Sequence, residues 1–262
     1  MTLSSQLAKA PRLGGDFSPL RTPIYVYADE QKRTIHGVLA FLKRGIVVPY
    51  WFEPGAVRLN GDITGIIRKK ENLINTVLGR TCCVGEMETV IRRSPIEVNY
   101  KTMIMNGELQ DYTVTPPYTD IEIKQATPND ADRLFDLQEG YEKEEVLIDP
   151  TRFNPRSCLL HLKQILEEQL VYYIEFDGMP IAKAGTNALG FEYCQLGGVY
   201  TDVRFRNRGI ATFLIRYLTR EILRYRKKVS LFVKEQNNPA INMYKRCGFS
   251  LQGDFRITYY RG

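Results

Sequence analysis

The most informative stretch of the sequence runs from Asn237 to Phe249 and reads NNPAINMYKRCGF. Asn238-Pro239 predicts a helix start, because proline fits the first turn of a helix, where its missing N–H is not needed. Gly248 predicts the end of that helix, since glycine favours the left-handed conformation just beyond a helix. The apolar segment Val229–Val233 comes directly before and predicts a buried strand. These segments therefore predict a strand followed by a short helix.

A basic motif, RNRGIA, spans Arg206 to Ala211. It joins a long extended segment, Phe191–Val203, to an amphipathic helix, Gly209–Arg226. The first backbone N–H groups of a helix lack intrahelical partners, and together with the helix dipole they form an anion site. Small residues at this point let a phosphate approach the backbone. Taken alone, the motif fits an ordinary basic helix start equally well.

In this order and on these elements, the two motifs resemble the GNAT (N-acetyltransferase) superfamily, with its Arg/Gln-x-x-Gly-x-Gly/Ala and Asn-x-x-Ala-x-x-Leu-Tyr-x-x-x-Gly-Phe patterns. The resemblance extends over residues 121–260 and implies an acyltransferase that uses acetyl-CoA (coenzyme A) as co-substrate and no metal. The segments GGVYTD before the first motif and LFVKEQNNPA around the second are similar to two-part bacterial GNAT proteins, whose N-terminal half is a degenerate GNAT-like unit. No segment of Met1–Thr119 matches the cofactor motif.

The resemblance implies an α/β (mixed α+β) fold, the GNAT fold, with a mixed, mostly antiparallel twisted sheet flanked by helices. A second, smaller α/β domain is expected at the N-terminus. Pro116-Pro117 ends any helix and predicts an extended connector over Tyr112–Thr119. We therefore predict an N-terminal domain over residues 1–118 and an acyltransferase domain over residues 119–262.

Turn and cap signals predict the remaining elements. After the connector, helices begin at Thr127-Pro128 and at Asn154-Pro155, and Asp177-Gly178 joins two strands. The strands predicted there are Leu170–Phe176, Pro180–Ala184 and Ser250–Tyr260, and the second helix ends near Gln169. Before the connector we predict helices at Asp29–Lys43, Lys69–Leu78 and Met87–Arg93, strands at Ile46–Phe52, Thr81–Val84 and Tyr100–Met105, and a hairpin of Val57–Leu59 and Ile63–Ile67 around Asn60-Gly61.

The family resemblance implies roles for residues of both motifs. Backbone N–H groups from Arg206 to Ala211 would hold the CoA pyrophosphate, and Val199–Thr201 would pair with the pantetheine arm where the strand splays from its neighbour. Tyr244 would protonate the departing thiolate, unless it is a core tyrosine. The predicted cofactor-binding residues are Val199, Tyr200, Thr201, Arg204, Arg206, Asn207, Arg208, Gly209, Ile210, Ala211, Thr212, Asn237, Ala240 and Tyr244.

The sequence does not single out a general base. Positions that hold Glu in many relatives carry Gln195 and Phe232, which cannot take a proton. Glu192 lies three residues before Gln195, so the two side chains should point to opposite faces of the strand. Glu144 and Glu145 follow the first helix of the domain, where the family builds its acceptor site. Each of these carboxylates also fits a solvated surface, and a chain of waters is the alternative base.

Charge and composition limit the classes of partner. Nine basic residues against Glu221 alone lie between Arg204 and Lys228, within a chain of net charge +6. This block favours a phosphorylated cofactor or nucleic acid, although Arg216, Arg220 and Arg224 also fit a solvated helix face. Nucleic acid is not favoured, because the interleaved aromatic residues are few and fit the helix core. Five cysteines without a CxxC pair and two histidines exclude a disulfide framework and leave little material for a zinc site, so we expect reduced thiols and a cytoplasmic protein.

The function that we favour from the sequence is transfer of an acetyl group to a primary amine of a small molecule or peptide, by direct attack in a ternary complex. The alternatives are transfer of a longer acyl or an aminoacyl group, a non-catalytic acyl-CoA sensor, and a nucleic-acid-binding module. No membrane span or secretory signal is predicted. GNAT proteins often form homodimers, and the sequence leaves the oligomeric state open.

Overall fold

The structure is a computed structural model that describes residues 8–9, 24–29, 34–52, 61–106, 116–190, 192–225 and 228–260. Its contacts divide the chain into two compact units. The N-terminal unit contains Met1–Tyr100 and Gly253–Gly262, and the C-terminal unit contains Lys101–Gln252. Residues 253–262 group with the N-terminal unit because residues 255–259 pair antiparallel with residues 76–80. The domain boundary predicted after residue 118 differs from this division and stays a prediction.

The helices and strands follow one another along the chain in an irregular alternation. In order they are β1 (Ala8–Lys9), β2 (Ile24–Asp29), β3 (Thr34–Phe41), β4 (Ile46–Trp51), α1 (Gly61–Lys70), β5 (Thr76–Arg80), α2 (Thr81–Glu88), β6 (Pro95–Met105), β7 (Ile121–Gln125), α3 (Phe135–Tyr141), α4 (Pro155–Glu168), β8 (Val171–Phe176), β9 (Met179–Leu189), β10 (Tyr193–Thr201), α5 (Ile210–Leu223), β11 (Lys228–Lys234), α6 (Asn238–Arg246) and β12 (Ser250–Tyr260). Short 3-10 turns lie at Lys43–Gly45, Glu71–Leu73, Pro128–Asp130, Pro150–Arg152 and Val203–Phe205, and a π-helical turn spans Glu142–Val146.

The N-terminal unit carries the strands in the order β1-β2-β3-β4-β5-β12. The helix predicted over Asp29–Lys43 is wrong, because β2 and β3 pair antiparallel there. Gly37 and Leu39 of β3 are buried between less buried neighbours, which is the alternation of a strand. A Cβ atom at Gly37 would overlap the ring of Trp51, so the strand needs glycine at this point.

Four other predictions for this unit are wrong. Ile63–Ile67 lies in α1 instead of a hairpin strand, and Thr81–Val84 begins α2 instead of forming a strand. A helix is predicted over Lys69–Leu78, but α1 ends at Lys70 and β5 begins at Thr76. A helix is also predicted over Met87–Arg93, but α2 ends at Glu88. The predicted strand Val57–Leu59 lies outside the described residues. The buried residues Ile63 and Ile67, and likewise Cys83 and Met87, are four apart and share one helix face.

The C-terminal unit confirms the predicted fold class, a mixed and mostly antiparallel sheet flanked by helices. Its strands lie in the order β6-β11-β10-β9-β8-β7; β10 and β11 are parallel, whereas β7, β8, β9 and β10 pair antiparallel in succession. Alternate residues of β8 face two hydrophobic clusters. Tyr172 and Ile174 pack in the cluster that holds the buried faces of α5 and α6, and Val171 and Tyr173 pack in the cluster of α3 and α4.

Most of the predicted helix starts and turns of this unit are confirmed, but Thr127-Pro128 starts only the 3-10 turn Pro128–Asp130, and α3 begins at Phe135. Asn154 caps α4 by accepting from Ser157 N at 2.9 Å, and Gly178 takes a positive φ in the β8–β9 turn. Gly248 has φ of 93° just after α6, as the glycine stop predicts. None of the described helices is both long enough and apolar enough to cross a membrane.

Candidate active site

Strands β10 and β11 separate towards their carboxyl ends. Their parallel pairing ends at Leu196 and Leu231, although β10 continues to Thr201 and β11 to Lys234. On the other side of β10, the register with β9 shifts between Gly197 and Tyr200, which is a bulge. We call the opening between residues 197–201 of β10 and residues 232–234 of β11 the wedge. Val199, Tyr200 and Thr201, predicted to pair with pantetheine, form one wall of it.

The RNRGIA motif forms the loop between β10 and α5, and we call residues 206–209 the cofactor loop. Asn207 and Gly209 have φ values of 61° and 79°, and α5 begins at Ile210. A Cβ atom at Gly209 would find its nearest neighbour, Pro117 Cβ, at 3.8 Å, so the space beside this glycine is open. The first N–H groups of α5, on Ile210, Ala211 and Thr212, are those that an α-helix leaves without intrahelical acceptors. This arrangement suits an anion held by backbone N–H groups.

The three arginines around the loop are held differently. The Arg204 guanidinium donates to both carboxylate oxygens of Asp202, at 3.0 and 2.7 Å. Arg206 Nε donates to Thr201 O at 3.0 Å, which ties the loop to the end of β10. Arg208 is exposed, with its guanidinium 5.6 Å from the centre of the Phe205 ring.

Helix α6 carries the residues expected on the far side of the wedge. Asn237 caps the helix by accepting from Ala240 N at 3.1 Å. Tyr244 is buried, with 7% of its surface exposed, and its ring centre lies 5.8 Å from that of Phe249. Burial raises the pKa of the Tyr244 phenol, and the nearby Tyr141, Cys247 and Glu145 raise it further. The phenol is therefore a neutral O–H donor at physiological pH.

The π-helical turn Glu142–Val146, here called the acidic turn, contacts both walls of the wedge. The Glu144 carboxylate accepts from Tyr200 OH at 2.7 Å and from Arg206 Nη2 at 2.9 Å, on the β10 side. Burial, followed by this hydrogen bond, raises the pKa of Tyr200 to about 12. The Glu145 carboxylate accepts from Asn237 Nδ2 at 3.2 Å, on the α6 side.

The side chain of Lys234, at the end of β11, contacts the backbone of the acidic turn. Its Nζ donates to Glu144 O at 2.7 Å and lies 3.6 Å from Glu145 Oε2. The structure thus brings together two of the three carboxylates considered as bases, Glu144 and Glu145, with the predicted cofactor residues Tyr200, Arg206 and Asn237.

Glu192, the third carboxylate considered as a base, lies apart from this group. It precedes Tyr193, the first residue of β10, and so stands at the opposite end of the strand from Thr201, roughly 30 Å away at the usual rise per residue. Its side chain is exposed and lies 3.4 Å from Lys228 Nζ. The structure does not bring Glu192 to the wedge.

A cleft of about 510 Å³ lies between α3, α4 and the face of β9 and β10. Sequence reasoning missed its polar lining, which includes Gln138, Glu142, His161, Glu168 and Lys183. One signal was present, because Lys183 interrupts the otherwise apolar segment PIAKAG of a predicted strand. The cleft borders the β10 bulge, since Gly197 and Gly198 also line it. Among the described residues, no group of three or more His, Cys, Asp or Glu side chains is arranged to hold a metal ion.

Comparisons with known proteins agree with this fold. The model of the acetyltransferase (GNAT) family matches residues 132–249. A comparison with curated protein sequences finds no match. Three solved structures are similar in fold: a Drosophila protein (TM-score 0.65, 14% identity, 91% of this chain and 79% of that chain), a GCN5-related N-acetyltransferase from Sphaerobacter thermophilus (0.60, 15%, 90% and 79%), and a tandem GNAT protein from the clavulanic acid biosynthesis pathway (0.54, 13%, 93% and 84%). The chain therefore carries a domain of the acetyltransferase (GNAT) family over residues 132–249, and the family implies acyl-CoA-dependent acyl transfer.

Proposed function

We propose that the protein transfers the acetyl group of acetyl-CoA to a primary amine by direct attack in a ternary complex. The observation that carries this proposal is the meeting of three features at the carboxyl end of β10. These are the open wedge, the N-terminus of α5 behind a glycine-containing loop, and the buried phenol of Tyr244. The wedge and the N-terminus of α5 suit a long thioester that carries phosphates. The phenol of Tyr244 suits protonation of the thiolate that leaves.

In this proposal, backbone N–H groups of residues 206–211 hold the pyrophosphate, and the main chain of Val199–Thr201 pairs with pantetheine. Splaying of β10 from β11 supports the second role, because it leaves main-chain groups of β10 without a partner from β11. Asn237 and Ala240 line the opposite wall. The further residues proposed to contact the cofactor are Tyr200, Arg204, Arg206, Asn207, Arg208, Gly209, Ile210, Ala211, Thr212 and Tyr244.

The transfer itself forms a carbon–nitrogen bond and breaks the carbon–sulfur bond of the thioester. Tyr244 donates its proton to the departing thiolate sulfur, which is possible because burial keeps the phenol protonated. The attacking amine loses a proton, and we assign its acceptance to Glu145. This carboxylate acts electrostatically on both Tyr141 and Tyr244. Its contacts with Asn237 and Lys234, at 3.2 and 3.6 Å, are longer than those of Glu144 with Tyr200 and Arg206, at 2.7 and 2.9 Å.

A transfer assay tests this function. Purified protein is incubated with acetyl-CoA and a set of primary amines at mildly alkaline pH, and acetylated amine is measured by mass spectrometry. The proposal expects amine-dependent product with wild-type protein and a strong loss with Glu145→Gln. Glu139→Gln is the comparison, because Glu139 lies one turn earlier in the chain and pairs with Lys143. CoA binding without turnover of any amine would contradict the proposal and favour an acyl-CoA sensor.

A further inference from the structure

Lys183 is a charged residue in the interior of the C-terminal unit. It lies on β9 with only 3% of its surface exposed, and it lines the cleft described above. Its Nζ donates to Gly198 O, in the β10 bulge, at 3.0 Å. The ring of Tyr141 covers another side of the ammonium, with its centre 4.9 Å from Nζ.

No anion is paired with this ammonium within the part of the chain that the structure describes. A lysine has three N–H donors, and the contact with Gly198 O uses one of them. Burial lowers the pKa of Lys183 from 10.5 to about 8, and the weaker influences of Cys158 and Glu142 oppose the change without reversing it. A buried ammonium is costly unless it is paired, so an anionic group entering the cleft would gain a partner that is already in place.

The cleft also contains a carboxylate. Glu142 Oε1 accepts from Gln138 Nε2 at 3.1 Å and lies 3.5 Å from His161 Nδ1. Glu142 acts electrostatically on Lys183 but lies beyond ion-pair distance among the described contacts. The cleft therefore offers a cation and an anion to a ligand, near one another but not paired with each other. Its volume of about 510 Å³ lies within the range of small-molecule sites.

The position of Lys183 relates the cleft to the wedge. Gly198 carries the carbonyl that accepts from Lys183, and the next residue is Val199, proposed to pair with pantetheine. A group bound at Lys183 therefore lies beside the point where the acyl group is expected. In an α-amino acid the carboxylate and the amine are attached to the same carbon atom, so an amine whose carboxylate is bound at Lys183 lies close to this point.

We propose that the acceptor is a small amine that also carries a carboxylate, such as an α-amino acid, with its carboxylate bound by Lys183 and its amino group directed towards the acidic turn, which carries Glu142 and Glu145. This inference rests on the proposed acetyl transfer and names the acceptor class for the same site. Lys183 is then a residue that determines specificity, in addition to supporting the bulge through Gly198 O.

The test compares amino acids with their carboxamides as acceptors, using wild-type protein, Lys183→Met and Lys183→Arg. The carboxamide has the less basic amine, so amine reactivity alone favours the carboxamide. The proposal expects the opposite order for wild type, with kcat/KM at least about 10-fold higher for the acid. In Lys183→Met the preference disappears through a higher KM for the acid, while the carboxamide is little affected, and Lys183→Arg restores part of the preference.

The results separate the proposed acceptor class from a purely structural role of Lys183 and from failure of the proposed function. Equal or better use of the carboxamide by wild-type protein overturns the acceptor class, and this comparison does not depend on whether a variant folds. A Lys183→Met variant that loses the acid and the carboxamide equally, with unchanged CoA affinity, shows that Lys183 supports only the bulge. Absence of product with every amine instead contradicts the proposed function.

Discussion

The Arg206 guanidinium in the cofactor loop donates to both carboxylate oxygens of Glu144 in the acidic turn, at 2.9 and 3.1 Å. The sequence predicts that Arg206 binds the cofactor, and it offers Glu144 as a base on the acceptor side. Their ion pair means that a phosphate approaching the loop competes with an internal carboxylate for the same guanidinium. The acidic turn is thereby linked to both substrates of the proposed reaction.

Replacing Glu144 by Gln should strengthen CoA binding, because Arg206 is released for the phosphates. The two side chains are partly exposed, at 37% and 42%, so the pair is worth at most about 1 kcal/mol and the gain at most about 5-fold in Kd. Isothermal titration calorimetry measures this directly. Glu139→Gln, which removes the carboxylate paired with Lys143 on α3, is the control and should leave Kd unchanged. A weaker affinity in Glu144→Gln would show that Glu144 supports the loop instead of competing for it.

Replacing Tyr244 by Phe should lower kcat while leaving the Kd for acetyl-CoA nearly unchanged, because only the proton donor is removed. Loss of a general acid lowers the rate on the order of 100-fold. Steady-state kinetics with a calorimetric Kd separates the two effects. Tyr172→Phe is a matched control, since Tyr172 is also buried but packs on β8 against Tyr217. An unaltered kcat in Tyr244→Phe would make Tyr244 a core residue.

Replacing Lys183 by Met should change how stability depends on pH. Burial lowers the pKa of Lys183 from 10.5 to about 8, so the unfolded chain holds this proton more tightly. The penalty of the buried charge is fully present below pH 8 and disappears as the pH rises towards 10.5. The free energy of unfolding of wild type should therefore rise relative to Lys183→Met by about 3 kcal/mol across this range.

Urea unfolding at pH 7 and pH 10 measures this difference. Titration of the other groups contributes equally to both proteins and therefore cancels when their free energies of unfolding are compared. The exposed Lys163 provides the control variant, Lys163→Met, for which no such change is expected. If the free energies of unfolding of wild type and Lys183→Met differ by the same amount at both pH values, Lys183 does not carry a buried charge.

The C-terminal unit was predictable because its signals are local. Asn154-Pro155, Asp177-Gly178 and Gly248 each fix a cap or a turn within a few residues, whatever the rest of the chain does. The N-terminal unit has fewer such signals. In α1, buried Ile63 and Ile67 are four apart, which fits one face of a helix and also one face of a strand.

The cofactor loop and the wedge could be inferred because their motifs are continuous in sequence. The acidic turn and the cleft could not, since their contacts join distant parts of the chain. Glu144 meets Arg206 across 62 residues, and Glu145 meets Asn237 across 92. Lys183 meets Gly198 only because β9 and β10 pair around a bulge, which no local pattern reveals.

Calorimetric titration with acetyl-CoA of wild type, Gly209→Glu and Gly178→Glu tests whether the cofactor loop binds CoA. Both glycines have positive φ, 79° and 72°, so the two substitutions impose similar backbone strain, but Gly178 lies in the β8–β9 turn. We predict one molecule bound per chain in wild type and Gly178→Glu, with Kd on the order of 10 μM. Gly209→Glu should weaken binding about 100-fold or more, because its carboxylate faces the pyrophosphate. Equal affinity of all three proteins would contradict the assignment of the loop.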